Sequence, residues 1–482
     1  MTKRRKNKLK LHTVIGYSCI ALYAVAVISF LIFGINLGML PAMYLLAGGA
    51  VFILLGVLFL IMQKKFPLSI LSDVLSVLLS VFLFTGCYFI YQTGSTVSDV
   101  ATAGAQKDVV SVYVMNDDPA QSIEDAAGYQ FGMSSTVDRE NTDKTIQSLE
   151  EQVNSELSVT EYDDLFTMAD DLKSGKIKAI IINGAYLGII SDVEDYTWLS
   201  TDLRELTSVA HEVASSGERE VPDEVPETFV MYLSGIDTYG GISTRSRSDV
   251  NILAVVNTRT KDILLLSTPR DYYVDYSVTG GAKDKLTHAG IYGIDASMDA
   301  LERLYDIKVD YYLRVNFTGF MDIIDALGGV DVYSEYDFSV QNVKEYHKGY
   351  NHLNGTEALA FARERHSFAS GDYQRAENQM EVIRAVVDKC ASSSLLVNYG
   401  SVMKAVAGSF ETNMPEDQIA FLVRMQLSDM AEWNVKSYTA SGESQYAETY
   451  SMPGQELYVI VPDQTTIEEA KTLIREVYGT NE

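Results

Sequence analysis

An apolar stretch near the N-terminus constrains this chain more than any other feature of its sequence. No Asp, Glu, Lys or Arg occurs between residues 11 and 61, although one helical crossing of a membrane needs only about 20 apolar residues. The stretch therefore predicts two membrane helices, at residues 13–35 and 41–62, and a further apolar run predicts a third at residues 67–91.

Basic residues beside these helices indicate their orientation. Lys and Arg are concentrated in the first ten residues, and Lys64 and Lys65 separate the second predicted helix from the third, whereas residues 36–40 carry no charge. Cytoplasmic loops of membrane proteins are enriched in Lys and Arg. We therefore expect residues 1–91, a basic head with three transmembrane helices, to anchor a multi-pass protein in the cell membrane, with its C-terminal domains extracellular.

The charge of the part that follows the helices excludes one class of partner. The chain of 482 residues has a formal net charge of −27, but all 65 acidic residues follow Lys65, and eight of the 38 basic residues lie at or before it. Residues 66–482 therefore carry a net charge of −35. An acidic surface repels the phosphates of nucleic acid, so we expect no nucleic-acid partner.

Composition and periodicity divide the extracellular part. Small polar residues predict a linker at 92–106, and strand and helix patterns predict an accessory α/β domain at 107–220, in which we identify no catalytic motif. Residues 228–482 alternate strands and helices, with strands at 229–234 and 250–257 joined too closely for a helical crossover. We therefore expect a fold of the α/β class, with three N-terminal transmembrane helices, a small α/β accessory domain and an α/β/α domain with a mixed central sheet.

The segment FARERHSFASGDYQRAENQ, at residues 361–379, carries the most distinctive pattern of charge. Residues 359–365 are predicted to form a strand, in which Arg363 and Arg365 point to the same face because side chains alternate across a strand. Two adjacent guanidinium groups repel each other unless they reach solvent or bind an anion with at least two charges. A pyrophosphate is such an anion. The alternative, for either arginine alone, is that its side chain lies in solvent at the edge of a strand.

A helix is predicted to begin at Asp372, because Gly371 supplies a turn and Asp is a favourable N-cap residue. Arg375 and Gln379 are four residues apart and therefore lie one above the other on its first turns. Backbone N–H groups at the start of a helix also favour phosphate. We expect both side chains to join the two arginines around the pyrophosphate, with an ion pair between Arg375 and a nearby glutamate as the alternative. Two or three more helices are predicted to follow, the last at residues 465–478.

Two aspartates are predicted to meet at one edge of the central sheet. Asp237 ends the motif SGID and Asp249 ends the motif SRSD, and antiparallel pairing brings the end of one neighbouring strand beside the start of the other. Neighbouring carboxylates raise each other's pKa unless a cation lies between them. Oxygen ligands favour Mg²⁺, or Mn²⁺, so Asp237 and Asp249 are the candidate metal ligands. A solvated pair of aspartates is the alternative.

The strand that ends in the sequence TPRD adds further candidates. Arg270 and Asp271 lie beyond the carboxyl end of this strand, where α/β sheets usually bind ligands. Arg270 is therefore a candidate phosphate ligand, with a surface ion pair to Asp271 or Asp275 as the alternative. The motif KDKLTHAG contributes Lys285 and His288, which we interpret as structural or supporting residues.

Sequence motifs of several common enzyme classes are absent. The chain contains no glycine-rich phosphate loop of the nucleotide-binding kind, no HExxH, no paired CxxC and no GxSxG motif. A metal and several arginines around a diphosphate, without an evident nucleophile, indicate phosphoryl transfer by positioning and charge neutralisation.

Five segments carry a resemblance to a known family. In chain order they are YLSGIDTYGGISTRSRSDVNILAVVN, LLSTPRDYYV, KDKLTHAGIYG, RVNFTGFMDIIDALGGVDV and RERHSFASGDYQRAENQ. The chain resembles the LytR-CpsA-Psr family of cell-envelope proteins, in particular its capsule-type members with three membrane spans and an accessory domain. The resemblance implies a phosphotransferase, assisted by Mg²⁺, that takes a capsule-type or other cell-wall glycan polymer from its polyprenyl-pyrophosphate lipid and attaches it to peptidoglycan through a phosphodiester.

The resemblance also implies roles for individual residues. Asp237 and Asp249 are similar to the metal-side aspartates of the family, and Arg247, in the SRSD motif, to a residue near the leaving or accepting group. These three are the candidate catalytic residues. The pyrophosphate ligands implied by the resemblance are Arg270, Arg363, Arg365, Arg375 and Gln379, with Asp271 and Lys285 in support.

A long apolar tunnel for the lipid tail is a further feature that the resemblance implies. Its residues would include Phe317, Phe320, Ile323, Ile324, Leu327, Val382 and Val386, but ordinary core packing explains the same pattern. The alternative function is a non-catalytic protein that binds polyprenyl phosphate and regulates the length or export of the polysaccharide. Metal dependence separates the two functions, because binding tolerates chelation better than transfer does.

Overall fold

The computed structural model describes residues 3–101, 106–213, 219–238, 242–392, 402 and 408–479. Residues 102–105 of the predicted linker, residues 239–241 of the first family-like segment and residues 480–482 of the second predicted domain lie outside the described residues.

The N-terminal part is built from α1 (Lys3–Leu37), α2 (Ala42–Met62) and α3 (Phe66–Ala101). Within the described residues, three stretches of helix are long and apolar enough to cross a membrane, and they are His12–Leu37, Ala42–Met62 and Phe66–Gly94. The prediction of three N-terminal membrane helices is therefore confirmed.

The third helix is longer than its apolar run. α3 continues to Ala101, so residues 92–101 are helical where the composition indicates an unperiodic linker. That interpretation is wrong for these residues. They contain no proline, and each residue added to an existing helix gains a backbone hydrogen bond without a new nucleation cost.

The next part, which we call the accessory unit, is a small α/β structure. Its elements are β1 (Lys107–Met115), β2 (Gln130–Ser134), α4 (Arg139–Val153), β3 (Ser158–Tyr162), α5 (Leu165–Lys173), β4 (Ala179–Asn183), α6 (Gly184–Ser191), a 3₁₀ helix (Glu194–Ser200) and β5 (Leu203–Glu212). The strand order is β3-β2-β4-β1-β5. Alternation along β1 buries Val110, Val112 and Val114 in one apolar cluster.

The remaining part, which we call the C-terminal unit, contains a second and larger sheet. Its elements up to the segment rich in arginine are β6 (Thr228–Ile236), β7 (Ser248–Asn257), β8 (Asp262–Ser267), β9 (Tyr273–Val274), β10 (Asp284–Lys285), α7 (Leu286–Ala289), α8 (Ile294–Tyr305), β11 (Tyr311–Asn316), α9 (Phe317–Ala326), β12 (Val330–Ser334), β13 (Phe338–Val340), β14 (Lys344–Tyr346) and β15 (Gly349–Leu353). The elements that follow are α10 (Gly355–Arg363), α11 (Asp372–Ala391), β16 (Phe410–Thr412), α12 (Glu416–Asp429), β17 (Asn434–Thr439), β18 (Gly442–Thr449), β19 (Met452–Pro462) and α13 (Gln464–Tyr478).

The central sheet of the C-terminal unit is mixed, as predicted. Its order is β16-β11-β6-β7-β8-β17, with β6 antiparallel to β7 and parallel to β11. On one face, residues of β6, β7 and β8 pack against α8 and α13, through side chains such as Met298 and Ile467. On the other face, Ile252 and Leu265 pack against Met380 of α11. The α/β/α arrangement is therefore confirmed.

The strand predicted at residues 359–365 is wrong, because this segment belongs to the end of α10 and the loop after it. Asn354 caps the helix by accepting a hydrogen bond from the backbone of Glu357 at 2.9 Å, and Glu357 accepts one from the backbone of Asn354 at 3.1 Å. This reciprocal capping box starts a helix in a segment rich in Ala, Leu and Glu. Side-chain alternation therefore does not orient Arg363 and Arg365.

The part of the chain after α11 contains more strand than expected. The predicted last helix is present as α13, and α12 precedes it, but β16 to β19 were not predicted. β18 and β19 form a hairpin, whose residue Ile460 forms a bridge to Tyr272 next to the TPRD motif. The missed hairpin therefore contributes to the surroundings of the candidate site.

The accessory and C-terminal units are in direct contact. Arg245 lies 3.0 Å from Asp108 of β1, and Tyr186 and Ile190 of α6 share an apolar cluster with Ile291 and Met452. This contact places the end of α6 beside the start of β7, where the candidate site lies.

The C-terminal unit also contacts the connection between α1 and α2. Arg424 of α12 donates a hydrogen bond to the carbonyl oxygen of Gly38 at 3.1 Å, and Tyr44 donates one to the carbonyl oxygen of Leu427 at 3.0 Å. The connection between the first two helices therefore lies on the same side of the helical bundle as the C-terminal unit.

Candidate functional site

The pairing of β6 with β7 brings two aspartates to one edge of the central sheet. Ile236 is opposite Ser248 in this antiparallel pair, Asp237 follows β6, and Asp249 is the second residue of β7. Gly235 allows the two strands to approach closely, because a Cβ atom there would lie 2.7 Å from a methyl group of Val250. The structure thus places Asp237 and Asp249 at the edge where the sequence predicts them.

Each of these aspartates has its own arginine partner. Asp237 accepts hydrogen bonds from Ser246 at 3.0 Å and from Arg247 at 2.5 Å. Asp249 accepts from Arg270 at 2.9 Å and from Thr287 at 3.1 Å. Charge-assisted bonds of this kind are about twice as strong as neutral ones, so both carboxylates are held in fixed orientations.

Asp249 is kept ionised by its surroundings. Burial raises the pKa of Asp249, but the nearby charges of Arg270, Arg247 and Arg375 outweigh burial and hold the pKa well below its ordinary value. A partly buried and ionised carboxylate at the sheet edge is available to bind a cation, which is the role that the sequence predicts for it.

Arg247 is the most enclosed cation of the site, with 6% of its side-chain surface exposed. One terminal nitrogen binds Asp237 and the other binds Asp192, each at 2.5 Å. Burial lowers the pKa of Arg247, but Asp237, Asp249 and Asp192 raise it well above its ordinary value. Asp192 follows α6 in the accessory unit, and the sequence reasoning did not find it.

Arg270 links this group to a supporting pair. Beyond Asp249, its guanidinium group lies 3.5 Å from Asp192 and 3.6 Å from Asp271. Lys285 lies 2.9 Å from Asp271 on the other side. Burial raises the pKa of Asp271, but Lys285 and Arg270 outweigh it, and the net shift is downward. Asp271 therefore contacts Arg270 and is itself held in place by Lys285.

A cleft lies in front of Arg270 and has about 440 Å³ of open space. The predicted site residues that line it are Asp249, Arg270, Asp271, Arg375 and Gln379, and Asp372 lines it as well. The helix predicted at Asp372 is present as α11, with Gly371 as its N-cap residue and Asp372 as its first helical residue. The cleft therefore lies between the start of α11 and the edge of the sheet.

Arginines are crowded at the start of α11. Asp372 lies 3.3 Å from Arg375 and 3.6 Å from Arg365, so one carboxylate serves two cations. Burial lowers the pKa of Arg375, Arg270 lowers it further, and Asp372 does not fully compensate. Arg270, Arg365 and Arg375 thus form an arginine group beside the cleft, in which Arg270 is paired with Asp249 and the other two share Asp372. The closeness of three guanidinium groups favours an anion with several charges.

The remaining predicted ligands differ in their positions. Gln379 lines the cleft and donates a hydrogen bond to the carbonyl oxygen of Ala362 at 3.3 Å, which ties α11 to the end of α10. Arg363 is exposed and lies over the ring of Phe317, with 4.3 Å from its guanidinium carbon to the ring centroid. Phe317 donates its backbone hydrogen bond to Thr238, so Arg363 is connected to the Asp237 side of the site.

A buried hydrogen-bond network around Asp284 lies next to Lys285 of the site. Asp284 accepts hydrogen bonds from Tyr276 at 3.0 Å and from the backbone of Ser451 at 3.0 Å, and it lies 2.7 Å from the ring of His288. Burial raises the pKa of Asp284, but His288 outweighs burial and the pKa is lowered. These contacts fix the segment that presents Lys285, and they agree with a structural role for His288.

The donor set at the sheet edge fits one kind of metal ion. Among the residues that the structure describes, no three His, Cys, Asp or Glu side chains are grouped as a metal site. Each oxygen of Asp237 and Asp249 accepts one hydrogen bond, and a carboxylate has about four lone-pair positions. Mg²⁺ commonly takes one or two carboxylates and completes its ligands with water and substrate phosphate, so the free lone-pair positions of Asp237 and Asp249 are compatible with it.

The apolar residues suggested for a lipid tunnel form part of a packed cluster. Ile324, Leu327 and Val382 are buried in it, with Phe320 and Ile323 packed against it. Core packing accounts for this cluster, and the tunnel stays a prediction.

Comparison with known proteins identifies similar chains. The profile of the LytR_cpsA_psr family matches residues 196–473. The polyisoprenyl-teichoic acid–peptidoglycan teichoic acid transferase TagU of Bacillus cereus is 36% identical over 242 residues, which are 50% of this chain and 77% of that protein. The protein of the same name from Bacillus licheniformis is 33% identical over 194 residues, which are 40% of this chain and 62% of that protein.

Solved structures are similar over about half of this chain. The crystal structure of B. subtilis TagV is 27% identical, covers 53% of this chain and 99% of its own, and superposes with a TM-score of 0.45. For several of the Bacillus relatives named TagU, the matched part spans slightly less than two thirds of their length.

Proposed function

Because this chain belongs to the LytR-CpsA-Psr family, we propose that it is a phosphotransferase of the cell envelope. In this proposal it takes a glycan polymer, of the capsule type or another cell-wall type, from a polyprenyl-pyrophosphate lipid and joins it to peptidoglycan through a phosphodiester. The names of the Bacillus relatives support transfer of a glycopolymer to peptidoglycan. The capsule-type substrate rests on the sequence resemblance.

The observation that carries the proposal is the arginine group beside the cleft. Arg365 and Arg375 share the single carboxylate of Asp372, and the pKa of Arg375 is lowered by burial and by Arg270. A diphosphate in the cleft supplies the missing negative charge. The start of α11 adds backbone N–H groups that favour phosphate.

In this proposal, some residues of the site bind the diphosphate and others bind the metal ion. Arg270, Arg375 and Gln379 bind the diphosphate in the cleft, with Arg365 beside them, and Arg363 binds from the side of Phe317. Asp237 and Asp249 would hold Mg²⁺, or Mn²⁺, which would neutralise phosphate charge when bound.

Three other residues position or stabilise the reacting groups. Arg247 fixes Asp237 through one nitrogen, and its second nitrogen stabilises an accepting or leaving oxygen. Asp271 and Lys285 keep Arg270 in place.

The proposed reaction is a single displacement at phosphorus. A hydroxyl group of a peptidoglycan sugar attacks the phosphorus atom nearest the glycan. The bond between that phosphorus and the bridging oxygen breaks, polyprenyl monophosphate leaves, and the proton of the hydroxyl group is released. Several fixed positive charges around the transferring phosphoryl group are the usual means by which proteins accelerate such a step.

A protein that binds the carrier lipid without catalysis is the second candidate. It is favoured by one observation, namely that both candidate metal ligands already pair with arginines. In that case, the lipid binds in the same cleft and the protein regulates the length or export of the polymer. Removal of metal distinguishes the candidates, because transfer requires it and simple binding tolerates its loss.

The proposed location is the cell membrane, with the accessory and C-terminal units outside the cell. The contact of Arg424 with Gly38 supports this arrangement, because it joins the C-terminal unit to the uncharged connection between α1 and α2. Labelling by a membrane-impermeant maleimide tests it, with single cysteines introduced into a chain whose Cys19, Cys87 and Cys390 are replaced by serine, because Cys390 is itself exposed. Tyr350→Cys, at a position that is 79% exposed, should react in intact cells, and Lys64→Cys should react only after permeabilisation. The reverse result contradicts the orientation.

Transfer by the purified full-length protein in detergent tests the function. The substrates are a labelled polyprenyl-pyrophosphate oligosaccharide and peptidoglycan fragments, with Mg²⁺ present or chelated. Loss of one charge-stabilising group commonly lowers a rate by about 10²–10³-fold, so Arg270→Gln should lose most of the activity. Arg303→Gln removes an exposed arginine that pairs with Asp299 and is the matched control. Lipid binding without product under all conditions would contradict the transferase and favour the regulator.

A further inference from the structure

A carboxylate of the accessory unit, that of Asp192, contacts two arginines of the C-terminal unit, Arg247 and Arg270. Oδ2 of Asp192 lies 2.5 Å from Nη1 of Arg247 and 3.5 Å from Nη2 of Arg270. One oxygen atom of a residue outside the central sheet therefore lies between two arginines of the candidate site. A phosphate oxygen bound by the same two groups has the same charge and a similar position.

The approach of the accessory unit to Arg247 is close. Gly188, in α6, faces the guanidinium group so closely that a Cβ atom there would lie 3.0 Å from Nε of Arg247. Apolar side chains of the same helix, among them Tyr186 and Ile190, pack with Ile291 of the C-terminal unit. The contact of Asp192 with the arginines is thus supported along the length of α6.

Asp192 is nevertheless in an unfavourable place for a purely structural residue. It directly follows α6 and acts as its C-cap residue, and a negative charge at the C-terminus of a helix is disfavoured by the helix dipole. About a third of its side-chain surface, 33%, is exposed. Arg247 also has Asp237 as a partner at 2.5 Å, so Asp192 is not its only carboxylate among the described residues.

Arg270 also has unused capacity for an anion. Its Nε is buried without a hydrogen-bond partner among the described residues, and the nearest oxygen of Asp271 is 3.6 Å away. Arg270 lines the cleft, whereas Asp192 contacts Arg270 from outside the cleft lining, so a diphosphate in the cleft and Asp192 share the guanidinium group of Arg270. Two anions compete there for the same donors, and the bound diphosphate carries the greater charge.

We propose that Asp192 is a placeholder anion that the diphosphate of the lipid substrate displaces from Arg247 and Arg270. This inference rests on the proposed function and extends it to the accessory unit. In the free protein, Asp192 satisfies the two arginines and lowers the affinity for diphosphate. On binding, its side chain leaves and the end of α6 loosens, so the accessory unit responds to occupancy of the cleft.

Calorimetric titration of the full-length protein in detergent with inorganic pyrophosphate tests the placeholder. Asp192→Asn removes the charge and keeps the shape, and we expect it to bind pyrophosphate about tenfold more tightly, which corresponds to about 1.4 kcal/mol. Asp195→Asn makes the same change in the same segment and should bind as the wild type does. Asp192→Ala repeats the measurement, so that failure of one variant to fold does not prevent a result.

Hydrogen exchange of residues 184–200 gives a second readout. Pyrophosphate should accelerate exchange near the end of α6 in the wild type and have little effect there in Asp192→Asn. Equal or weaker binding by both Asp192 variants, or protection of this segment by pyrophosphate, overturns the placeholder and makes Asp192 a residue that merely positions Arg247. Absence of pyrophosphate binding in the wild type and in all variants overturns the proposed function as well.

Discussion

Replacement of Arg375 by glutamine is expected to stabilise the free protein and to weaken its binding of phosphate. Arg375 has 14% of its side-chain surface exposed. Burial lowers its pKa, Arg270 lowers it further, and Asp372 raises it without restoring the ordinary value. Folding therefore disfavours the charged guanidinium group, which is the sign expected of a group that is kept for binding and not for stability.

The size of the effect follows from the same contacts. At 3.3 Å, the attraction between Arg375 and Asp372 is roughly 5 kcal/mol at an effective dielectric constant of about 20. The lowered pKa indicates that burial and Arg270 outweigh this attraction. Stabilising single substitutions, including those that improve the arrangement of charges, commonly add about 0.5–2 kcal/mol. At roughly 2–4 °C per kcal/mol for a unit of this size, Arg375→Gln should melt about 1–8 °C higher than the wild type.

The binding of pyrophosphate should change in the opposite direction. A hydrogen bond to a charged group contributes about 1.5–3 kcal/mol, so Arg375→Gln should bind pyrophosphate about 10–150-fold more weakly. Thermal melting and calorimetric titration of the full-length protein in detergent measure the two effects.

Arg384→Gln, on the same helix, is the control for stability. Arg384 donates to the carbonyl oxygen of Val435 at 2.7 Å and lies 3.3 Å from Glu381, so this variant should melt below the wild type. The reasoning is refuted if Arg375→Gln melts as low as Arg384→Gln, or if it binds pyrophosphate as the wild type does.

Gly290→Ala should weaken pyrophosphate binding by about tenfold or more. Its Cβ would lie 2.6 Å from the backbone oxygen of Ser246 and would therefore displace the neighbouring Arg247. Unchanged calorimetric affinity in a folded variant contradicts this. The lowered pKa of Asp284 adds stability that is present above about pH 4 and lost as the pH falls through the lower folded value. The melting temperature of Asp284→Asn should therefore fall less steeply than that of the wild type between about pH 5 and pH 2, and parallel curves oppose this account. Arg245→Ala removes the 3.0 Å contact with Asp108 and should speed cleavage between the units in limited proteolysis, whereas an unchanged rate speaks against this contact as a link.

Part of the candidate site could be predicted from short segments of the sequence, because close connections and turns determine its strand pairing and the start of one helix. The strand before Asp237 and the strand that contains Asp249 are joined too closely for a helical crossover, so their antiparallel pairing was predicted, and it is present. The turn at Gly371 likewise predicted the start of α11. These elements brought Asp249, Arg270, Arg375 and Gln379 to one cleft.

The errors have physical causes that can be named. Residues 359–365 were interpreted as a strand by themselves, but the capping box of Asn354 and Glu357 lies before this segment and starts a helix. Asp192 was missed because its contact with Arg247 spans 55 residues of sequence and joins two units. An aspartate at the end of α6, where the helix dipole disfavours it, was the one local sign.

The identity of the lipid product tests the central claim most directly. The full-length protein is supplied with a polyprenyl-pyrophosphate oligosaccharide, peptidoglycan fragments and Mg²⁺, and both products are identified by mass spectrometry. The account predicts polyprenyl monophosphate and a glycan joined to peptidoglycan through one phosphorus atom, in equal amounts. Release of polyprenyl pyrophosphate together with a glycan linked without phosphorus would contradict it.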